Sequence, residues 1–287
     1  HYPLRRQRQM CIRDSRPTMD FNLTDQQREI DAGVRRICAD FNDDYWTDCE
    51  AEARFPQEFH RAMADGGWLG ITMPEDLGGA GLGVTEAAIM MHAVASSGGG
   101  QSAASSIHIN LFGPHAVVVH GTPEQKARWL TPLINGDQKA CFGVTEPDAG
   151  LDTTSISTFA TKVDGGYRVS GRKMWTSTGQ VADKILLLCR TTAKSDCRKS
   201  TDGMTLFYTD LDRTKIEVRR IHKLGRNAVD SNAVFIDDYF VPDEDLVGEE
   251  GKGFYYLLDS LNPERVLVGI EAVGLGRDAL RLSLIHI

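Results

Sequence analysis

Residues 141–155 read CFGVTEPDAGLDTTS, and how this stretch is read decides the fold. It opens apolar, as a strand does. It then breaks at Pro147 and Gly150, with Thr145, Glu146, Asp148, Asp152, Thr153 and Thr154 crowded into the turn. Such a segment delivers hydroxyls and free backbone N–H groups to one place. A second delivery follows at residues 173–179, KMWTSTG, where a large aromatic stands beside three hydroxyls. Either segment alone is an ordinary hydroxyl-rich β-turn. The two together, separated by a β-rich stretch, suit a flat aromatic cofactor with polar edges better than a metal or a nucleophile.

Around these segments the pattern is one of short strands. Residues 158–162, 167–170, 184–190, 204–209, 216–220 and 232–236 are β-branched or aromatic and separated by turns such as Asp164-Gly165-Gly166. Strands at this spacing without intervening helices predict an antiparallel barrel or sandwich. On the N-terminal side the signals are helical. Thr24 and Gln27 form a capping box ahead of an apolar stripe at Ile30, Val34, Ile37 and Phe41. Further helices are expected over 57–64, over 85–97, and from Pro123 behind its N-cap Thr122. Residues 96–106 read as small-residue packing or loop. The Gly-Gly-Ala-Gly run at 78–81 follows no strand of a βαβ unit, so it is not a dinucleotide loop. After Gly253 a helical period returns with Phe254, Leu257, Leu258, Leu261, Val266, Ile270, Val273 and Leu280. The expected domains are helical over 19–138, β over 139–252, and the start of a helical C-terminal domain over 253–287.

Composition bounds the function. The chain has 287 residues, 41% hydrophobic and 25% charged, an ordinary globular mixture. A net charge of −8 argues against nucleic acid, whose phosphates need a basic face. No apolar run approaches the roughly 18 residues of a membrane span, so no membrane insertion is expected. Cys11, Cys38, Cys49, Cys141, Cys189 and Cys197 form no C-x-x-C pair and read as reduced thiols of a cytoplasmic protein. His108, His115 and His120 lack metal-ligand spacing, so no metal site is assigned. Residues 1–18 carry five arginines against one acid and read as a non-native leader ahead of Met19, with an Arg-rich transit peptide as the rival reading. The closing LSLIHI stops inside a helical pattern, so the chain is expected to be a fragment.

VTEPDAG followed by KMWTSTG resembles the acyl-CoA dehydrogenase family of flavoproteins. The likeness extends in order through Phe55-Pro56, ITMPEDLGGAG at 71–81, GTPEQK at 121–126, Leu224-Gly225-Arg226, Val241-Pro242, Val247-Gly248 and Glu264-Arg265. It implies FAD held between the β-domain and a C-terminal four-helix bundle. It also implies α,β-dehydrogenation of an acyl-CoA, electron transfer to an electron-transfer flavoprotein, and a homodimer or homotetramer. An acyl-CoA oxidase, a flavin monooxygenase and a catalytically silent flavin-binding scaffold are the alternatives.

The resemblance assigns Phe142, Val144 and Thr145 to the flavin edge, Trp175 to stacking beside the ring, and Ser177 to a hydrogen bond with flavin N5. It makes Glu264, which stands where a minority of members carry the base, the candidate for that role; most members place that Glu farther along, beyond residue 287. Without the resemblance, Glu264 reads as a helix-start carboxylate after Pro263. Asp152, Arg226 and Arg265 are candidate substrate contacts. Leu151 stands where the family usually has Ser or Thr, which puts a phosphate contact there in doubt.

Overall fold

The computed structural model describes residues 21–285 and Ile287; the expected leader, 1–18, lies outside the described residues. Among the described residues seven helices come first: α1 (Asp25–Ala39), α2 (Asp43–Ala51), α3 (Gln57–Asp65), α4 (Val84–Ala95), α5 (Gly100–Phe112), α6 (His115–His120) and α7 (Pro123–Ile134). The Thr24 hydroxyl accepts from Gln27 N–H at 3.2 Å while Gln27 Oε1 accepts from Thr24 N–H at 3.1 Å, so the expected capping box starts α1. Thr122 and Gln125 do the same for α7. These helices share a core in which Phe59 is fully buried, edge-on to Phe41 and Trp46 at centroid distances of 5.3 and 5.1 Å.

The strands follow as β1 (Ala140–Gly143), β2 (Phe159–Val163), β3 (Gly166–Ser177), β4 (Lys184–Arg190), β5 (Met204–Asp210), β6 (Glu217–Arg220) and β7 (Ser231–Pro242). They form one sheet in the order β1-β4-β2-β3-β7-β6, with β5 on the other edge of β4. Most pairings are antiparallel, as expected for a β-layer without crossover helices. The pairings of β4 with β1 and with β2 are parallel, so the sheet is mixed. The chain then runs into α8 (Gly253–Ile285), a single helix of 33 residues. It lies across α4, α5 and α6 and touches β5, closing the helical layer against the sheet. Gly274 makes that approach possible: a Cβ there would stand 2.9 Å from both Ala95 Cβ and the His92 carbonyl oxygen.

Residues 96–106, read as small-residue packing or loop, mostly belong to α5, in line with close helix packing; the helix is buried on nearly every side and so carries no amphipathic stripe. Two expectations change. Residues 173–177 of the KMWTSTG segment are the end of β3 and not a separate loop. Pro263 lies inside α8, so Glu264 is an interior residue of that helix and the helix-start reading falls. Among the described residues no helix is long and apolar enough to cross a membrane.

Phe59→Ala should cost about 3–5 kcal/mol of stability, the usual range for emptying a buried aromatic site. Urea unfolding followed by tryptophan fluorescence measures it, and a loss under about 1 kcal/mol would show that the site collapses without the ring.

Candidate functional site

The geometry begins with a buried ion pair. Lys173, on β3, is fully buried, and its Nζ donates to Glu146 Oε1 at 2.8 Å, to the Leu188 carbonyl at 2.7 Å and to the Val144 carbonyl at 3.2 Å. The other Glu146 oxygen accepts from the Ser157 N–H at 2.6 Å and from the Ser157 hydroxyl at 2.8 Å, while Oε1 also takes the Thr158 N–H at 3.0 Å. Burial pushes the Glu146 carboxyl up, but the Lys173 charge and these hydrogen bonds overcome it and hold the group at about 2, against an ordinary value of 4.5. The turn after β1 is thereby pinned to β3. Met174 N–H donates to the Thr145 carbonyl at 2.8 Å, and the Thr178 hydroxyl donates to the Ala140 carbonyl at 3.1 Å.

This seam presents its side chains to a cleft. The β3–β7 register slips between Lys173 and Thr176, and Trp175 adopts φ 63° within the slip. Such a bulge re-aims a side chain, and Trp175 remains 58% exposed. The cleft, about 390 Å³, is lined on the sheet side by Phe142, Val144, Thr145, Met174, Trp175 and Ser177. On the helical side stand Gln101, His108 and Phe112 of α5 with Leu261, Glu264 and Val268 of α8, and Arg226 also reaches the cleft. Among the described residues, the N–H groups of Val144 and Thr145 and the Thr145 hydroxyl have no hydrogen-bond partner. A wide exposed indole beside unspent donors fits a flat ring with polar edges.

Glu264 is half-buried. Desolvation raises its carboxyl pKa above the ordinary value of 4.5, and the nearby charges of His108 and Arg265 only partly offset this. Arg226, at φ 58°, donates to the Ser105 hydroxyl at 2.8 Å and to the Ser231 and Ser177 hydroxyls at 3.3 and 3.5 Å, bridging α5 to the end of β3.

Of the residues expected at the site, Phe142, Val144, Thr145, Trp175, Ser177, Arg226 and Glu264 therefore share one cleft. Asp152 and Arg265 do not line it. Asp152 accepts from Thr154 N–H at 3.1 Å and caps a short turn, and Arg265 is exposed and donates to Asn262 at 2.7 Å. Leu151 is fully exposed beside that turn. Sequence reasoning missed Gln101, His108 and Glu271. The signal was present: Gln101, Ser105 and His108 stand at i, i+4 and i+7, one face of a helix, as do Glu264, Val268 and Glu271. Among the described residues no group of His, Cys, Asp or Glu is placed to hold a metal ion.

Comparison with known proteins gives a consistent pattern. The family model of the acyl-CoA dehydrogenase N-terminal domain matches residues 24–137, and that of the middle domain matches residues 141–239. Benzylmalonyl-CoA dehydrogenase of Aromatoleum aromaticum is 36% identical over 269 residues, covering 91% of this chain and 68% of the relative. The mitochondrial 2-methylacyl-CoA dehydrogenase of Solanum tuberosum is 30% identical over 256 residues; the match covers 88% of this chain and 61% of the potato protein. The solved butyryl-CoA dehydrogenase of Megasphaera elsdenii superposes with a TM-score of 0.84 at 26% identity, covering 92% of this chain and 69% of that one.

Lys173→Met leaves Glu146 buried and unpaired and should cost about 3–5 kcal/mol. Lys173→Met/Glu146→Gln keeps an acceptor for Ser157 and Thr158 without the stranded charge, and should cost less than Lys173→Met alone. Urea unfolding at neutral pH measures both; a double variant less stable than the single would contradict the pairing. The pH dependence has a definite sign. A carboxyl held at about 2 in the fold and near 4.5 when unfolded stabilises fully above pH 4.5, and that contribution is lost as pH falls toward 2. The Glu146→Gln variant should show a flatter loss of stability over that window.

Proposed function

The chain belongs to the acyl-CoA dehydrogenase family, and from that premise we propose that it carries the catalytic cleft of an FAD-dependent enzyme. The proposed reaction is α,β-dehydrogenation of an acyl-CoA thioester to the trans-2-enoyl-CoA, with electrons passed to an electron-transfer flavoprotein. The observation that carries the reading is the shared cleft, with Glu264 on α8 facing the groups at the ends of β1 and β3. Relatives named for 2-methylacyl, benzylmalonyl and butyryl groups leave the acyl group open.

FAD, when bound, supplies the acceptor for the hydride that leaves the β-carbon. Phe142 and Trp175 would flank its ring, and Val144, Thr145 and Ser177 would offer hydrogen bonds to its polar edges. The remaining chemistry falls to the protein. Glu264 takes the weakly acidic proton α to the thioester carbonyl onto a carboxylate oxygen, and its partial burial brings its basicity closer to that task. Arg226 holds α5 against the end of β3 and so keeps the two walls of the cleft in register. A carboxylate in this position counts against the silent-scaffold alternative, which supplies no reason for one.

The test is anaerobic flavin bleaching near the visible absorption maximum on adding acyl-CoAs, in the intact FAD-loaded protein and in Glu264→Gln. The expected result is bleaching in the wild type and a loss of at least about 100-fold in its rate in the variant, which still binds FAD and ligand. Equal bleaching in both would assign the base to another residue, and no bleaching with any acyl-CoA would overturn dehydrogenation itself. In the wild type the acidic limb of the rate should lie above pH 4.5, because a base with a raised pKa becomes deprotonated at higher pH. A limb at or below 4.5 would contradict Glu264 as the base.

A further inference from the structure

Behind the reacting groups the cleft reaches a polar pair that dehydrogenation does not use. Glu271 of α8 is fully buried, and its carboxylate stands 2.9 and 3.1 Å from His108 Nδ1. Gln101 Nε2 donates to the same carboxylate at 3.1 Å and lies 3.3 Å from the Ser105 hydroxyl. His108 is 6% exposed and its ring lines the cleft. Only Nδ1 of that ring has a partner among the described residues, and Nε2 is not one of the side-chain atoms sealed inside the protein without a partner. Nε2 is therefore the polar atom that this pair offers to whatever enters.

The pairing bears on what Nε2 offers. A buried carboxylate is best satisfied by a cation in contact with it, and Arg226, though within electrostatic reach, donates to Ser105, Ser177 and Ser231 and not to Glu271. An imidazolium against the carboxylate carries a hydrogen on Nε2, whereas a neutral ring donating from Nδ1 would leave Nε2 an acceptor; the lack of another contacting cation favours the first. A plain hydrocarbon chain would cover that N–H without giving it an acceptor.

We propose that His108 is a specificity residue that donates from Nε2 to an oxygen atom on the acyl group, so that the cleft selects acyl thioesters bearing a carbonyl, hydroxyl or carboxylate oxygen beyond the reacting carbons over unsubstituted chains. Glu271 and Gln101 act as positioning residues that hold the ring and its protonation state. This inference rests on the acyl-thioester reading above, and binding can be measured without turnover.

The experiment compares dissociation constants, by calorimetry under anaerobic conditions on the intact protein whose FAD has been reduced beforehand with dithionite so that it can accept no hydride, for hexanoyl-CoA and its oxo, hydroxy and ω-carboxy analogues of matched length. The wild type should bind at least one oxygen-bearing analogue about 10-fold or more tightly than hexanoyl-CoA, since an unmade hydrogen bond to a buried donor costs that much. His108→Leu should erase the preference. Which analogue gains identifies the oxygen. Equal or tighter binding of hexanoyl-CoA by the wild type overturns the proposal, and this arm needs no variant to fold. A preference that survives in His108→Leu also overturns it, as does a variant that weakens all four ligands alike, the signature of a purely electrostatic effect on Glu264. Selective binding without flavin bleaching would uphold this inference while sinking the dehydrogenation reading.

Discussion

The contact on which the site depends is the ammonium of Lys173 against the carboxylate of Glu146, both out of water. Two such charges are costly to bury, and the structure offsets that cost with a full set of hydrogen bonds: two carbonyls on the lysine, and two backbone N–H groups and a hydroxyl on the glutamate. The partners come from three places along the chain: Val144 beside the turn, Ser157 and Thr158 after it, and Leu188 in β4. A saturated pair of this kind fixes direction, because each oxygen and each N–H has one place to be. It sets the turn after β1 against the end of β3, and the slip that turns Trp175 outward begins at the next residue. An apolar contact of equal size would hold the two segments together without fixing their register.

The opposite wall is made differently. α5 is buried on nearly all sides, so its polar residues are placed by helical spacing alone, and α8 brings Glu264 and Glu271 to the same face two turns apart. The cleft is thus a junction of two rigid layers, and Arg226 is the cross-brace, reaching from the β-layer to Ser105. A side chain with fixed planar donors suits that task better than a flexible ammonium.

How much of this was legible in the sequence follows from what each signal measures. Capping boxes, short β-branched runs and turn glycines are local, and Thr24, Thr122 and the β4 strand Lys184–Arg190 came out as read. The cleft residues of β1 and β3 were legible because hydroxyls and an aromatic in one short run are unusual for a turn. The α5 helix was legible only as close packing of small residues, because burial on nearly every side removes the polar face that marks a helix and sets its phase. Without that face His108 and Gln101 could not be placed at the cleft. The Lys173–Glu146 pair was equally hidden: the two residues stand far apart in sequence, and a charged residue inside a strand ordinarily reads as facing water. Pro263 misled in the other direction, since a proline more often opens a helix than sits inside one.

The central claim is that the buried pair, through the turn it pins, shapes the cofactor-facing wall. The most direct measurement is the FAD dissociation constant of Lys173→Met/Glu146→Gln, taken by quenching of flavin fluorescence at a temperature where the variant is fully folded. The account predicts FAD binding weakened about 10-fold or more, because Thr145 and Trp175 lose their fixed register. A folded variant that binds FAD as tightly as the wild type would contradict it.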